Sequence, residues 1–291
     1  MHDDTMATQI DLLWVLAHPD DESFGNAGTM LLAHDERLTT GLICATRGEV
    51  GEIRDPRLAT RDTLPAVREQ ELRRAMRMAR LTELRLLGYR DSGMAGTEEN
   101  EHPRALINIP AIEAVAHVAG QIRELRPRVV ITFGPDGVYG HPDHIAIGAI
   151  TDQAVIEAAS DDQPGLGAPW RIEALYHVAS SRERIMESAR NPESPFFSMP
   201  EEQLALMGTP EEMITHRVNV SSKADLKHRI LMQHLTQISM DNPVADPQTE
   251  LAKRFLSVET YSRQSLPWEG NDADPLTRLR EAYDVASRTT G

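Results

Sequence analysis

Five short apolar runs, the first four each followed by a stretch patterned as a helix, constrain this chain more than any other feature. The runs are "LLWVLA" (12–17), "LTTGLICAT" (38–46), "ELRLLG" (83–88), "RVVITFG" (128–134) and "EALYHVA" (173–179). Between them apolar residues recur at helical spacing. Met30, Leu31 and Leu32 mark a helix over 24–36, and Val67, Leu72, Met76 and Ala79 one over 65–80. Ile112, Val115, Val118 and Ile122 mark 110–125, where Pro127 ends the pattern; Ile145, Ile147, Ile150 and Val155 mark 143–159. Strand and helix in alternation predict an α/β fold: a Rossmann-like, mostly parallel sheet flanked by helices, with a smaller C-terminal lobe.

The alternation fades after the turn-rich "SDDQPGLGAP" (160–169). We therefore place the core at residues 1–180 and a C-terminal lobe, packing on that core and bordering its pocket, at 181–291. Within the lobe, 186–215 reads as irregular, "HRVNV" (216–220) as a strand, Lys223 to Ile238 as a helix, and the tail after 265 as one last helix.

The formal charge of -15, from Lys+Arg 30 against Asp+Glu 45, disfavours binding to nucleic acid or to an anionic membrane surface, both of which need clustered cations. A small neutral or cationic partner is expected instead. Cys44 is the single cysteine and sits in an apolar run, so no internal disulfide forms and a reducing, cytoplasmic setting is expected. The start, "MHDDTMATQI", lacks the basic and apolar regions of a signal peptide, and no apolar run approaches the ~20 residues needed to span a bilayer.

The first apolar run leads directly into "HPDDE" (18–22). Pro19 suits the first position of a helix, and acids there are favoured by free N–H groups. That accounts for one or two carboxylates, not for a histidine three residues before Asp21. At that spacing His18 and Asp21 can converge on one cation while Asp20, between them, stays free. After the strand "RVVITFG" the design recurs as His141-Pro142-Asp143-His144. In an open parallel sheet both turns fall at the carboxyl ends of strands, where sites form. Two histidines and one carboxylate leave an open position on a metal, the arrangement of a catalytic rather than a structural zinc.

"AHPDDE" (17–22) and "HPDH" (141–144) are the two signature motifs of the LmbE-like (PIG-L) family of zinc-dependent de-N-acetylases, which the chain resembles over residues 12 to 180. "VREQELRRAM" (67–76), "RDSGMAGT" (90–97) and "PDGVYGHPDH" (135–144) are similar to the family's thiol-biosynthesis deacetylase and conjugate-amidase group. The resemblance implies that His18, Asp21 and His144 hold one Zn2+ per subunit, with Fe2+ as the other candidate. It further implies that Asp20 is the general base, that Asp143 orients His141, and that Tyr139 and His141 contact the reacting carbonyl or the leaving group. Arg68 and Asp91 fall where relatives bind sugar hydroxyls, and Glu49 and Glu52 in a loop that borders the pocket.

The expected reaction is removal of the N-acetyl group from a small N-acetylglucosamine-containing molecule. The departing nitrogen needs a proton, from His141, Tyr139 or the reprotonated Asp20. A rival reading is an amidase that cleaves thiol S-conjugates; a second is a sugar-binding relative without catalysis, which would not need a spare base. "FGNAGT" (24–29) lacks the glycine spacing of a dinucleotide site. Each accessory residue also has a structural reading. Arg68 and Glu71 are spaced as a surface ion pair on a helix, Asp91 can organise a turn with Ser92 and Gly93, and Asn26 and Gly28 shape helix packing. His216, His228 and His234 are isolated and read as core or surface residues; His234 with Gln237 is similar to a late family segment, which implies that it closes the helix against the sheet.

Overall fold

Each of the five apolar runs supplies a strand in the computed structural model, which describes residues 9–162, 164–190, 197 and 199–288. These are β1 (Leu12–Leu16), β2 (Thr40–Cys44), β3 (Glu83–Leu86), β4 (Val129–Phe133) and β5 (Ala174–Val178). β6 (His216–Asn219) and β7 (Val258–Gln264) follow. All seven lie in one sheet, ordered β3-β2-β1-β4-β5-β7-β6. The first five pair in parallel, whereas β7 runs antiparallel to both β5 and β6. Every residue of β1, β2, β4 and β5 is buried, as expected when helices cover both faces.

The helices of the first half are α1 (Asp21–Gly25), α2 (Ala27–Asp35), α3 (Leu64–Met78), α4 (Ala111–Leu125), the short α5 (Gly137–Gly140) and α6 (Pro142–Ala159). Those that follow are α7 (Arg182–Ser188), α8 (Glu201–Leu204), α9 (Ala224–Leu231), α10 (Glu250–Ser257) and α11 (Pro275–Arg288). The chain winds outward from β1 through β2 to β3, then returns to lay β4 on the other side of β1. The carboxyl ends of β1 and β4 therefore flank the point where strand order reverses, the position at which sheets of this kind open a crevice.

Three local outcomes differ from the sequence pattern. The helix expected over 24–36 breaks at Asn26 (φ -141°), whose side chain turns inward to accept the Trp14 indole N–H at 3.0 Å. The helix expected to reach Ile238 stops at Leu231, and the next residues form turns that bury His234 and Thr236 completely. β7 had no counterpart in the sequence reading. With β6 it places part of residues 181–291 inside the same sheet as the core. Residues 1–8, where the leader was judged, lie outside the described residues, as do 191–196 and 198 of the irregular stretch. Among the described residues no helix is long and apolar enough to cross a membrane.

Candidate metal centre

β1 delivers His18 to the crevice, and the turn after it starts α1 at Asp21. β4 ends at Phe133, and the second turn starts α6 with Pro142 at its head and His141 as its cap, the imidazole accepting the Asp143 N–H. The two His-Pro-Asp turns meet there. His18 Nδ1 lies 3.3 Å from His144 Nε2, and His144 Nε2 lies 3.2 Å from Asp21 Oδ1. His18 Nδ1 is 3.7 Å from Asp21 Oδ2. Donors held ~2.0–2.1 Å from a tetrahedral zinc stand about 3.3–3.4 Å from one another, so this spacing fits one ion.

The outward side of each donor is occupied. His18 Nε2 faces Asp143 Oδ2 at 3.1 Å, and His144 Nδ1 faces the Gly137 carbonyl at 3.1 Å. With those nitrogens as N–H donors, both lone pairs point inward at each other, and only a cation reconciles them. Asp21 Oδ2 accepts the Ala17 and His18 N–H groups at 3.1 and 2.7 Å, which leaves Oδ1 toward His144. The His144 ring stacks on Phe133 with centroids 3.9 Å apart and planes within 5°. Burial opposes ionisation of Asp21, but His144 and His18 outweigh it and hold the carboxyl well below its ordinary range. Burial likewise opposes a charge on His18, yet Asp91 and Asp143 push its pKa well above the usual 6.5. The cluster is built to hold positive charge. Among the described residues two further triads bring their donors within 4.8 Å, His18-His141-His144 and His18-Asp91-Asp143.

Asp20 stands beside the triad but joins none of these contacts. Its Oδ2 is 3.3 Å from Arg68 Nη2, and its backbone has φ 126°. Burial lifts its pKa to about 6 against the pull of Arg68, with the charges of Asp21 and Glu22 adding to the rise. His141 packs edge-on to His18 with centroids 4.5 Å apart. Burial, then the neighbouring imidazoles, lower its pKa to about 4, so it is neutral at pH 7. Tyr139 lies at the rim, 37% exposed, its ring 5.1 Å from that of His144. Desolvation, then Asp21 and Asp20, push the phenol's pKa up, so it stays a donor. The preceding Val138 has φ 65°, a left-handed backbone rare for a β-branched residue, and its carbonyl accepts the Gly208 N–H at 3.1 Å.

The remaining sequence-selected residues take more specific places than their motifs suggested. The Asp143 carboxylate does not orient His141, as the resemblance implied. Its Oδ2 takes His18 Nε2 and the Ser92 N–H, and only its backbone N–H reaches His141 Nδ1. Arg68 and Glu71 are not a surface pair: they are 3% and 2% exposed. Arg68 donates to the Gly48 and Pro19 carbonyls at 2.9 and 2.7 Å, while Glu71 holds Thr236. Asp91 organises the turn through the Gly93 N–H at 2.8 Å and also stands 3.6 Å from His18 Nε2. Its N–H donates to Glu49 Oε2 at 3.1 Å. Beyond Glu49 opens a cavity of about 430 Å³, lined also by Arg61, Asp62, Arg90 and Glu99.

Several residues at the centre escaped the sequence reading. Phe133 and Gly137 fix the His144 ring, and Ser92 anchors Asp143. Glu22 is the third acid of the first motif; His234 lies more than two hundred residues away, yet its Nε2 is 2.7 Å from Glu22 Oε1. Only the excess of acids at 20–22 hinted at such a partner.

The family described as GlcNAc-PI de-N-acetylase (PIG-L) matches residues 13–155 of this sequence. A protein of Geodermatophilus obscurus, 1D-myo-inositol 2-acetamido-2-deoxy-alpha-D-glucopyranoside deacetylase, is 36% identical over 266 residues, covering 86% of this chain and 90% of that one. Among solved structures, the conserved protein TT1542 of Thermus thermophilus superposes with a TM-score of 0.59 at 24% identity, covering 89% of this chain and 99% of that one. N,N'-diacetylchitobiose deacetylase of Pyrococcus horikoshii superposes with a TM-score of 0.60 at 16% identity, covering 87% and 84%. At such identities the two structures speak to the fold, and the sequence matches to the family.

Proposed function

The chain belongs to the PIG-L (LmbE-like) family, and from that premise we propose that it hydrolyses the acetamide of an N-acetylglucosaminyl group carried on a small polyol. The observation that carries this reading is the convergence of His18 Nδ1, His144 Nε2 and Asp21 Oδ1 beside a carboxylate, Asp20, that none of them engages. His18, Asp21 and His144 would hold the metal. Two imidazoles and a carboxylate suit Zn2+, and Fe2+ also accepts such a set. A divalent ion bound there supplies Lewis acidity, which lowers the pKa of water from 15.7 to about 7 and polarises a carbonyl.

The protein's own groups do the rest. Asp20 takes a proton from the attacking water as its oxygen bonds to the acetyl carbon. The Tyr139 hydroxyl and the His141 Nε2–H, a donor because Nδ1 already accepts the Asp143 N–H, receive the negative charge that develops on the carbonyl oxygen. Removing one such donor typically costs ~10²–10³ in rate. The C–N bond then breaks, and the nitrogen takes the proton that Asp20 acquired, giving acetate and a free amine. Asp91 and Glu49 face the sugar, and the cavity beyond Glu49 accommodates the polyol; its mixture of guanidinium and carboxylate groups suits hydroxyls, which both donate and accept. Arg68 contacts the sugar only at its margin, since its guanidinium is already bonded on two sides. The buried Cys44 thiol and this substrate class both fit a cytoplasmic enzyme.

Metal analysis combined with a substrate panel tests the reading. One metal per chain and acetate release from N-acetylglucosaminyl-inositol are expected. Faster cleavage of cysteine S-conjugate amides would replace deacetylation by the amidase reading, and sugar binding without turnover in metal-loaded protein would replace both.

A further inference from the structure

A single peptide unit links Asp20 to the C-terminal part of the chain. The Pro19 carbonyl accepts from Arg68 Nη2 at 2.7 Å, and the N–H of the same peptide, on Asp20, donates to Glu22 Oε2 at 2.9 Å. The unit is thus held at both ends. It needs to be, because φ of 126° at Asp20 is a conformation that an L residue keeps only where its surroundings over-determine it.

Those surroundings form a closed ring. Glu22 is fully buried; its Oε1 accepts from His234 Nε2 at 2.7 Å and from the Ser23 hydroxyl at 2.5 Å. His234 is fully buried as well. Two residues on, Thr236 gives its N–H and hydroxyl to Glu71 at 3.0 and 2.6 Å. Glu71 stands one turn along α3 from Arg68, which returns to the Pro19 carbonyl. Neither Glu22 nor His234 touches the metal-type donors or faces the crevice, so the reaction proposed above makes no direct use of them.

We propose that Glu22 and His234 are positioning residues for Asp20: they lock the Pro19–Asp20 peptide in the one backbone conformation that keeps the Asp20 carboxylate against Arg68 and off the triad of His18, Asp21 and His144. The proposal rests on the reading of Asp20 as proton acceptor. It gives the segment after α9, remote in sequence from both motifs, a part in the turnover step. If the Glu22–His234 contact merely anchored α9, its loss would lower stability and leave the turnover of folded protein alone.

The test uses full-length, metal-loaded protein and reads kcat, KM, metal content and thermal stability for His234→Ala, His234→Gln and Asp20→Asn. His234→Ala should lower kcat by ~10–100-fold, the usual cost of losing an outer hydrogen-bond partner, with KM and metal content unchanged. His234→Gln, whose amide N–H reaches the same carboxylate, should recover most of that loss. In an Asp20→Asn background, His234→Ala should add little, because residues acting through one group are not additive. Unchanged kcat in folded His234→Ala, a loss that follows metal occupancy, or full multiplication of the two effects would overturn the proposal. If His234→Ala does not fold, His234→Asn, too short to reach Glu22, takes its place with the same readouts. Should Asp20→Asn itself keep full activity, the assignment of the proton acceptor fails; if Asp20→Asn is inactive and His234→Ala is not, the positioning role alone fails.

Discussion

His18 Nδ1 and His144 Nε2 stand 3.3 Å apart on rings whose other nitrogens are already bonded, one to Asp143 and one to the Gly137 carbonyl. Each outer contact selects a tautomer, and together they turn two lone pairs inward. The arrangement favours positive charge between the rings, and Asp21 on the third side adds a carboxylate that suits a divalent ion.

Metal should therefore stabilise the fold itself. An ion at a hundredfold excess over its Kd adds about 2.7 kcal/mol. Stripping with a chelator is expected to lower Tm, and returning Zn2+ to restore it. His144→Ala, which removes a donor at the centre of the cluster, should abolish the shift and leave less than one metal per chain. A metal-dependent shift that survived His144→Ala would place the ion elsewhere.

Asp143 provides a sharper test, because its carboxylate was expected to serve His141 and instead bonds His18 Nε2 and the Ser92 N–H. Both donors share the single oxygen Oδ2, so Asp143→Ala removes the acceptor of each at once. Metal affinity, measured by competition with a chromogenic chelator, should fall ~10–100-fold, the usual cost of disturbing a ligand's outer partner. An unchanged affinity with reduced kcat would return Asp143 to the service of His141.

The parallel half of the sheet was legible because its strands are buried on both faces and so read as continuous apolar runs. The two His-Pro-Asp turns were legible for a related reason: each directly follows such a strand. β7 was not, because "VETYSRQ" (258–264) carries no apolar run. Its Glu259 is buried against Lys227 and the N–H groups of Gly28 and Thr29, and its Ser262 is buried too. Glu259 is stable there because tertiary partners satisfy it, and those partners lie on α2 and α9. His234 was opaque for the same reason. An isolated histidine acquires meaning only from Glu22, and the pairing spans most of the chain. Local patterns pointed to the candidate metal donors, whereas the groups that hold them are fixed by long-range packing.

The Lys227–Glu259 contact carries its own prediction. Lys227 is fully buried, its ammonium 2.9 Å from Glu259 Oε1 and 2.8 Å from the Phe255 carbonyl. Lys227→Met leaves the Glu259 carboxylate buried and short of a cation, which typically costs ~3–5 kcal/mol. Urea denaturation of the metal-loaded protein should show a loss of that size. Adding Glu259→Gln should recover part of it, because the uncompensated charge is then gone. A loss below about 1 kcal/mol, as for an exposed ion pair, would mean that water reaches the pair in solution.

His216 sets a pH limit on stability far from the metal centre. It lies on β6, 5% exposed, with Nε2 3.0 Å from the Thr277 hydroxyl and 3.3 Å from that of Tyr176. Both hydroxyls give their protons to Asp274 Oδ2, so Nε2 is the donor, and Nδ1 stands 2.9 Å from the Thr215 hydroxyl, which also reaches the Tyr261 carbonyl. The neutral ring already has a partner at each nitrogen. Burial first, then Arg280 and Arg263, hold its pKa down to about 4, although Asp274 pulls the other way. In the unfolded chain the ring titrates near 6.5. Between those values the unfolded state binds more protons, so stability rises with pH across the window. The contribution is complete above about 6.5 and fades as pH falls toward 4. Denaturant midpoints at pH 7 and pH 5 should therefore differ more for the native protein than for His216→Gln, which keeps a polar group but cannot titrate. Equal differences in the two proteins would show that other groups carry the acid sensitivity.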